Sequence, residues 1–517
     1  MTAVALEATR IRVRPATLLP GLVVVVAVLV AWWAGTPYVV GVWHDDGVYA
    51  LLGRAIASGH GFHYTQLPGA PAATHYPPLY PLLLAAVWRV APSFPDNIAA
   101  FLGLNALLVG VAALGAFRYV RARLHWREAA AALFALATTL ATPVLALSGA
   151  VLSEPLFLAA LWPVLVASER AADPSGDGRD AFVAGAAIGT LMLVRTHAAA
   201  LLAALVLLLV LRRRPAHALR AAAAAALVML PWQLWTMLAT PRVAAPLEGA
   251  YGSYLGWFVA GVREGGVPFL IATVRINVAE LWLLLQDRVV TGDAALPRLL
   301  AAALLLALVV VGSWCLARRA AVTVSFLACY LAVVVIWPYA PWRFLWAVWP
   351  LVLLSAVVGA GWLWSRAPTR PLRAAAALAV AFPAAGMART EWRAYATRAW
   401  SVPALQAGAQ ISPLVAWVGR HTRPSDVVLA EGEQVVSLFT GRRAAPTAPF
   451  TAREYVTPRS LQASTNELRE MLRVIPATWV LPLAPVQIEA ARSLSGARPG
   501  LRAVAPLPQG LVFRVER

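Results

Sequence analysis

The chain has 517 residues, 60% hydrophobic and only 13% charged, with a mean hydropathy of +0.70. A soluble protein of this length needs far more charge to cover its surface, which excludes an ordinary water-soluble class. The net charge of +19 is carried by arginine alone; it clusters in short loops between apolar spans, as the positive-inside rule expects, and argues against nucleic-acid binding.

Repeated apolar stretches near the roughly 20 residues that cross a bilayer predict a polytopic α-helical membrane protein. The expected spans are 17–37, 97–118, 129–148, 154–169, 181–195, 197–211, 218–239, 298–316, 320–338, 343–363 and 372–388. Arg10, Arg12 and Arg14 precede the first span, whose Trp32 and Trp33 leave no small-residue cleavage site. The segment reads as a retained helix with a cytoplasmic amino terminus.

Threading the spans from there places Arg118, Arg121, Arg123, Arg212 to Arg214, Arg318, Arg319 and the 366–373 stretch in the cytoplasm. Asp45, Asp46, Ser153, Glu154, Arg195 and Arg343 fall on the other side. About eleven spans put the carboxyl terminus outside, in a bacterial inner (plasma) membrane. If 181–211 were one long helix, everything after it would flip. Cys315 and Cys329 fall within apolar spans and read as small buried hydrophobes.

Residues 1–388 thus read as a transmembrane domain with long extracytoplasmic loops at 38–96 and 240–297. In the first loop, proline bounds an apolar stretch at 79–91 that is too short to span and reads as an interfacial helix. The second loop is aromatic and predicts short helices along the membrane surface. Residues 389–517 predict a small extracytoplasmic α/β domain, with strands at 427–430, 478–481 and 511–515 and helices at 458–474 and 485–494. No glycine-rich phosphate motif or internal repeat occurs, and alanine runs such as 221–226 read as close-packing helix.

Asp45 and Asp46 carry the strongest chemical signal. Carboxylates are costly near hydrocarbon and usually sit there for function, although one aspartate at a helix start can simply cap it. One of the pair can face a reacting group while the other orients it or holds a cation. His75-Tyr76-Pro77-Pro78 lies in the same loop, its prolines fixing the histidine and tyrosine relative to the acids. His44, His60, His63 and His75 share this loop, so a zinc or manganese site is conceivable, but the 60–63 turn is glycine-rich and a poor platform.

Ser153-Glu154-Pro155 opens a later span on the same side and fits capping as well as function. Arg195 and Arg343 interrupt apolar sequence at that face. Each either snorkels to headgroups or joins a clamp for phosphate.

These residues resemble the membrane-embedded glycosyltransferases of the GT-C class, especially bacterial relatives of protein O-mannosyltransferases and lipid A aminoarabinose transferases. The resemblance rests on Asp45-Asp46-Gly47-Val48-Tyr49 after the first helix, on 75–81, on Leu152-Ser153-Glu154-Pro155, on Arg195 and on Arg343-Phe344. It spans about residues 15–390. Relatives often carry Asp-Glu where this chain has Asp45-Asp46, and a basic residue where it has His75-Tyr76.

The resemblance implies an active site at the extracytoplasmic face, a polyprenyl-phosphate-linked sugar as donor, and inversion at the anomeric carbon. The acceptor would be a lipid, glycan or protein. Asp45, Asp46 and Glu154 would be catalytic, with Asp45 as base and Asp46 the candidate ligand of a divalent cation. His75, Tyr76, Arg195, Arg343 and Tyr49 would bind substrate or phosphate. A membrane transporter, a non-catalytic cell-envelope scaffold, and a polymerase or ligase using a lipid diphosphate are the competing readings.

Overall fold

A computed structural model describes residues 18–289, 294–507 and 510–516. Arg10, Arg12 and Arg14, on which the expected cytoplasmic amino terminus rests, lie outside the described residues.

The chain enters through α1 (Leu18–Ala34), an uncharged apolar helix, and turns into α2 (Asp45–Ala57) and α3 (Leu79–Val90). The last of these is the short helix expected at 79–91. Next come α4 (Ile98–Leu124), α5 (Glu128–Thr139) and α6 (Thr142–Ser148), the latter two bent by 57° where Pro143 opens α6. Then follow α7 (Glu154–Ala172), α8 (Gly178–Met192) and α9 (Ala199–Leu211).

The stretch 181–211 is two helices, not one. Arg195 is extended (φ −148°, ψ 126°) and breaks the path. Arg212, just past α9, donates to the Ala172 carbonyl at the end of α7, so the chain has doubled back. In α10 (Pro215–Leu238), Ala221 and Ala225 meet Gly185 and Gly189 of α8 so closely that a Cβ on Gly185 would lie 2.1 Å from the Ala221 carbonyl oxygen. The alanine run is therefore a close-packing face, as expected.

After the single turn α11 (Glu248–Tyr251) comes a departure from expectation. Where short surface helices were expected, two helices run on across a non-helical break at Gly266 (φ 59°, ψ −154°), two residues before Pro268, and together make α12 (Tyr254–Val289). It is long and apolar enough to cross a membrane. Asn277 donates to the carbonyls of Val334, Val335 and Trp337, and the Tyr455 hydroxyl donates to Asn277 Oδ1, which ties α12 to the tail and to the segment before Pro338.

The chain continues through α13 (Ala295–Leu316), α14 (Ala321–Ile336), α15 (Trp342–Ala347), α16 (Trp349–Ser365), α17 (Arg370–Thr397) and α18 (Val402–His421). Among the described residues six helices are long and apolar enough to cross a membrane, or seven if α5 and α6 count together. Shorter apolar helices, including α1, α9, α14 and α16, lie beside them in the bundle core. Cys315 and Cys329 are free and half-buried, less enclosed than expected.

The tail folds as an α/β layer. Its elements are β1 (Val427–Ala430), α19 (Glu433–Thr440), β2 (Arg443–Ala445), α20 (Leu461–Val474), β3 (Trp479–Leu481), α21 (Pro485–Ser493), β4 (Gly500–Leu507) and β5 (Gly510–Glu516). The sheet order is β2-β1-β3-β5-β4, with β1 parallel to β2 and β3, and β5 antiparallel to β3 and β4. All three expected strands are present. The sheet's buried side chains join one core with residues of α2, α3 and the 38–76 loop, so the tail sits on the face that carries Asp45.

Candidate active site

Two connected choices of local structure build the site. Helix α2 begins at Asp45 because the chain turns sharply before it, through Gly41 (φ 112°) and His44 (φ 63°). That turn is held by Asp46, which accepts from the Gly41 and Trp43 amides (2.8 and 3.1 Å) and the Tyr38 hydroxyl (2.8 Å). Asp46 is fully buried, and burial pushes its carboxyl up to about 6 despite those donors. It braces the turn and does not line the cavity described below, unlike the catalytic or cation-holding role expected from sequence. Three donors already face its oxygens, which ill suits a cation ligand.

Asp45 points the other way. Tyr76 donates to Oδ1 (2.9 Å) and Arg343 Nη1 donates to Oδ2 (2.8 Å). Burial would raise this carboxyl, but the Arg343 guanidinium, His44 and the bond from Tyr76 outweigh it and hold Asp45 below the usual carboxylate range. It is therefore ionised at neutral pH.

Arg343, at the start of α15, also donates through Nε and Nη2 to Glu154 Oε1 (3.0 and 2.8 Å). Arg195 reaches the same oxygen through Nη1 at 2.8 Å and donates to the Ser153 hydroxyl at 3.1 Å. Ser153 in turn is 3.1 Å from the Tyr49 hydroxyl. Neither residue of the Ser153-Glu154 pair caps α7 by a side-chain bond, so the capping interpretation is not realised. Both arginines are buried and paired, rather than snorkelling.

His75 donates from Nδ1 to the Gly252 carbonyl (2.7 Å) and its ring lies 3.6 Å from that of Tyr254. Burial lowers the imidazole to about 4. At neutral pH it is uncharged, with a lone pair left on Nε2. With Nδ1 committed to Gly252, His75 offers the cavity an acceptor and no N–H for a phosphate.

Asp45, Tyr49, His75, Tyr76, Arg195 and Arg343 all line one cavity of about 380 Å³. Glu154 lies just beneath it, with no exposed surface. Trp257, Trp337, Phe344 and Phe450 supply apolar walls. The far wall comes from the tail, through Glu431, Glu433, Thr447, Glu454, Arg459 and Gln487. Sequence reasoning missed this wall and the aromatics of α12. The only available signal was the rise in charge after residue 389, which carries no register.

A hydrogen-bonded cluster docks the tail here. Tyr251 donates to Glu433 Oε1 (2.7 Å), and the Gln434 amide contacts Tyr251, Glu433 and His44. His60 and His63 lie apart, on the exposed turn. Among the described residues no three His, Cys, Asp or Glu side chains are grouped to hold a metal ion.

No protein-family model matches the chain, and no curated protein matches it by sequence. Solved structures do match. ArnT from Cupriavidus metallidurans, bound to undecaprenyl phosphate, is 14% identical with a TM-score of 0.50 over 96% of this chain and 98% of its own. The oligosaccharyltransferase AglB from Archaeoglobus fulgidus, in complex with an inhibitory peptide and a dolichol-phosphate, is 14% identical with a TM-score of 0.53. That match covers 92% of this chain and 71% of AglB. Both are GT-C glycosyltransferases. At such identity the likeness is one of fold, and it runs through nearly the whole chain, tail included.

Proposed function

We propose that this protein is a membrane glycosyltransferase that moves a sugar from a polyprenyl-phosphate donor to an acceptor hydroxyl in the cavity between bundle and tail. The observation that carries this reading is the buried chain Arg195–Glu154–Arg343–Asp45 beneath an aromatic-walled cavity. The GT-C fold and the lipid phosphates bound by ArnT and AglB support the choice of donor.

A phosphate on a lipid is a good leaving group once its charge is neutralised. Arg195 and Arg343 are the cationic side chains on the bundle side of the cavity. Asp45, ionised and held by Tyr76 and Arg343, takes the proton of the acceptor hydroxyl. The acceptor oxygen then bonds to the anomeric carbon as the carbon–oxygen bond to phosphate breaks. Polyprenyl phosphate departs as the anion, and a single displacement inverts the sugar. Glu154 holds both guanidiniums in place, and Tyr49 reaches Arg195 through Ser153.

In this reading the arginine-rich face lies in the cytoplasm of a bacterial cell and the cavity outside the plasma membrane. The acceptor is a lipid, glycan or protein that enters beside the tail.

The test is incubation of purified protein with a panel of polyprenyl-phosphate sugars, with and without candidate acceptors. Consumption of one donor supports the reading, and hydrolysis without acceptor would still identify that donor. If every donor survives while the fold is intact, the reading fails.

A further inference from the structure

We propose that the opposite, arginine-rich face holds a second site, which binds an anionic lipid through its phosphate headgroup. The proposal does not depend on the glycosyltransferase reading. The 19 residues of α7 separate this face from Glu154 by about 27 Å.

The ends of four helices meet here around a cavity of about 560 Å³: Arg123 from α4, Glu169 and Asp173 from α7, Arg212 and Arg214 after α9, Arg318 and Arg319 after α13. Five arginines thus face two carboxylates. Most of that charge has a structural task. Arg123 donates to both Asp173 oxygens (2.7 and 3.0 Å) and to the Arg319 carbonyl (2.9 Å). Arg212 and Arg214 donate to carbonyls at the end of α7 and in the turn after it, where cations complement the helix dipole.

Arg318 and Arg319 are different. The carboxylates of the cavity pair with Arg123, and among the described residues neither pairs with Arg318 or Arg319. Arg318 is held over the Trp314 ring, 4.1 Å from its centroid. Two guanidiniums without acidic partners, at the mouth of a basic hollow, suit a phosphate.

A second observation turns phosphate into lipid. An adjoining groove of about 480 Å³ is lined by Leu316, Val357, Val358, Gly361 and Trp362, and it shares Arg318 and Arg319 with the basic cavity. A Cβ added at Gly361 would meet nothing within 4 Å, so this side of the groove is open. A charged hollow joined at two arginines to an apolar channel matches a molecule with a phosphate head and a hydrocarbon chain. Basic pockets between helix ends at the cytoplasmic surface are where such headgroups bind. Arginines that serve only to orient the chain need neither hollow nor groove.

The experiment is native mass spectrometry of the purified full-length protein, titrated separately with phosphatidylglycerol, phosphatidylcholine of the same chains, a polyprenyl phosphate and inorganic phosphate. Phosphatidylglycerol should bind in preference to phosphatidylcholine. Arg318→Gln with Arg319→Gln should weaken it by about thirtyfold, whereas Arg220→Gln on the same face should not. Gly361→Trp, whose Cβ would meet no atom within 4 Å, puts a bulky side chain at the groove and should weaken either phosphate lipid. Polyprenyl phosphate that binds more tightly than phosphatidylglycerol, and that Arg318→Gln with Arg319→Gln weakens, would support the proposal and name the lipid carrier as occupant. Polyprenyl phosphate that the double variant leaves unchanged belongs to the other cavity and, with phosphatidylglycerol also unchanged, overturns it. Equal binding of both phospholipids overturns it, as does an equal loss in Arg220→Gln. Binding of inorganic phosphate with no effect of Gly361→Trp on lipid also overturns it, in favour of a free anion.

Discussion

Arg343 and Glu154 lie 189 residues apart in sequence, yet two guanidinium nitrogens of Arg343 donate to a single oxygen of Glu154, at 3.0 and 2.8 Å. Arg195 shares that oxygen, while Oε2 of the same carboxylate is buried with no partner. One acid therefore holds two cations that would otherwise repel.

Glu154→Gln keeps the shape of the side chain and removes the charge. It should destabilise the fold by roughly 3–5 kcal/mol, as breaking a buried pair does. A thermal unfolding scan in detergent reads this directly. An unchanged midpoint would mean that the carboxylate does not hold the two arginines.

Asp45→Asn should leave the fold in place and lower sugar transfer by about 10²–10⁴, the usual contribution of a positioned base. Donor consumption at saturating acceptor is the measurement. Full activity with an intact fold would remove Asp45 from the proton-accepting role.

Two buried groups beside the site give stability slopes of opposite sign. His75 is lowered from 6.5 to about 4, so between those values only the unfolded chain carries the proton, and stability falls as pH drops. Asp46 is raised from 3.8 to about 6, so the folded chain holds the proton in that window and stability falls as pH rises. Relative to the parent, His75→Gln should lose the acid-side decline and Asp46→Asn should lose the opposing one. Unfolding midpoints between about pH 4 and 6 distinguish them, and slopes changed in the same direction would contradict one of the two assignments.

Docking of the tail depends on bare backbone in α2. A Cβ at Gly47 would lie 2.5 Å from Gln434 Cβ and 2.7 Å from Gly41 Cα, where neither neighbour can easily yield. Gly47→Ala should cost about 1–3 kcal/mol and expose the 398–401 connection to protease. Cleavage no faster than in the parent would show that the tail is held elsewhere.

The helices were legible because their apolar runs are long and their arginines mark the ends, and the acidic motif was legible because charge is so rare here. Which aspartate faces the cavity was not, since adjacent residues on one turn differ only in direction. Tyr38 and the 41–43 amides decide it, and neither carries a pattern. His75 lines the cavity as expected, but its lack of charge was not legible, because that depends on burial against residues as distant as Gly252 and Tyr254. Strand β2 escaped notice because Arg443-Ala444-Ala445 has no strand-forming side chain, and β4 because its Pro506 interrupts the usual signal.

The Arg195–Glu154–Arg343–Asp45 chain has a thermodynamic corollary. Its four formal charges cancel, so it brings no net charge to a cavity whose far wall carries Glu431, Glu433 and Glu454 against Arg459. An arriving anion must either pull a guanidinium off its carboxylate or bring a hydrogen ion along. Ligand affinity should accordingly tighten in mildly acidic buffer, with uptake of protons visible as a buffer-dependent heat of binding.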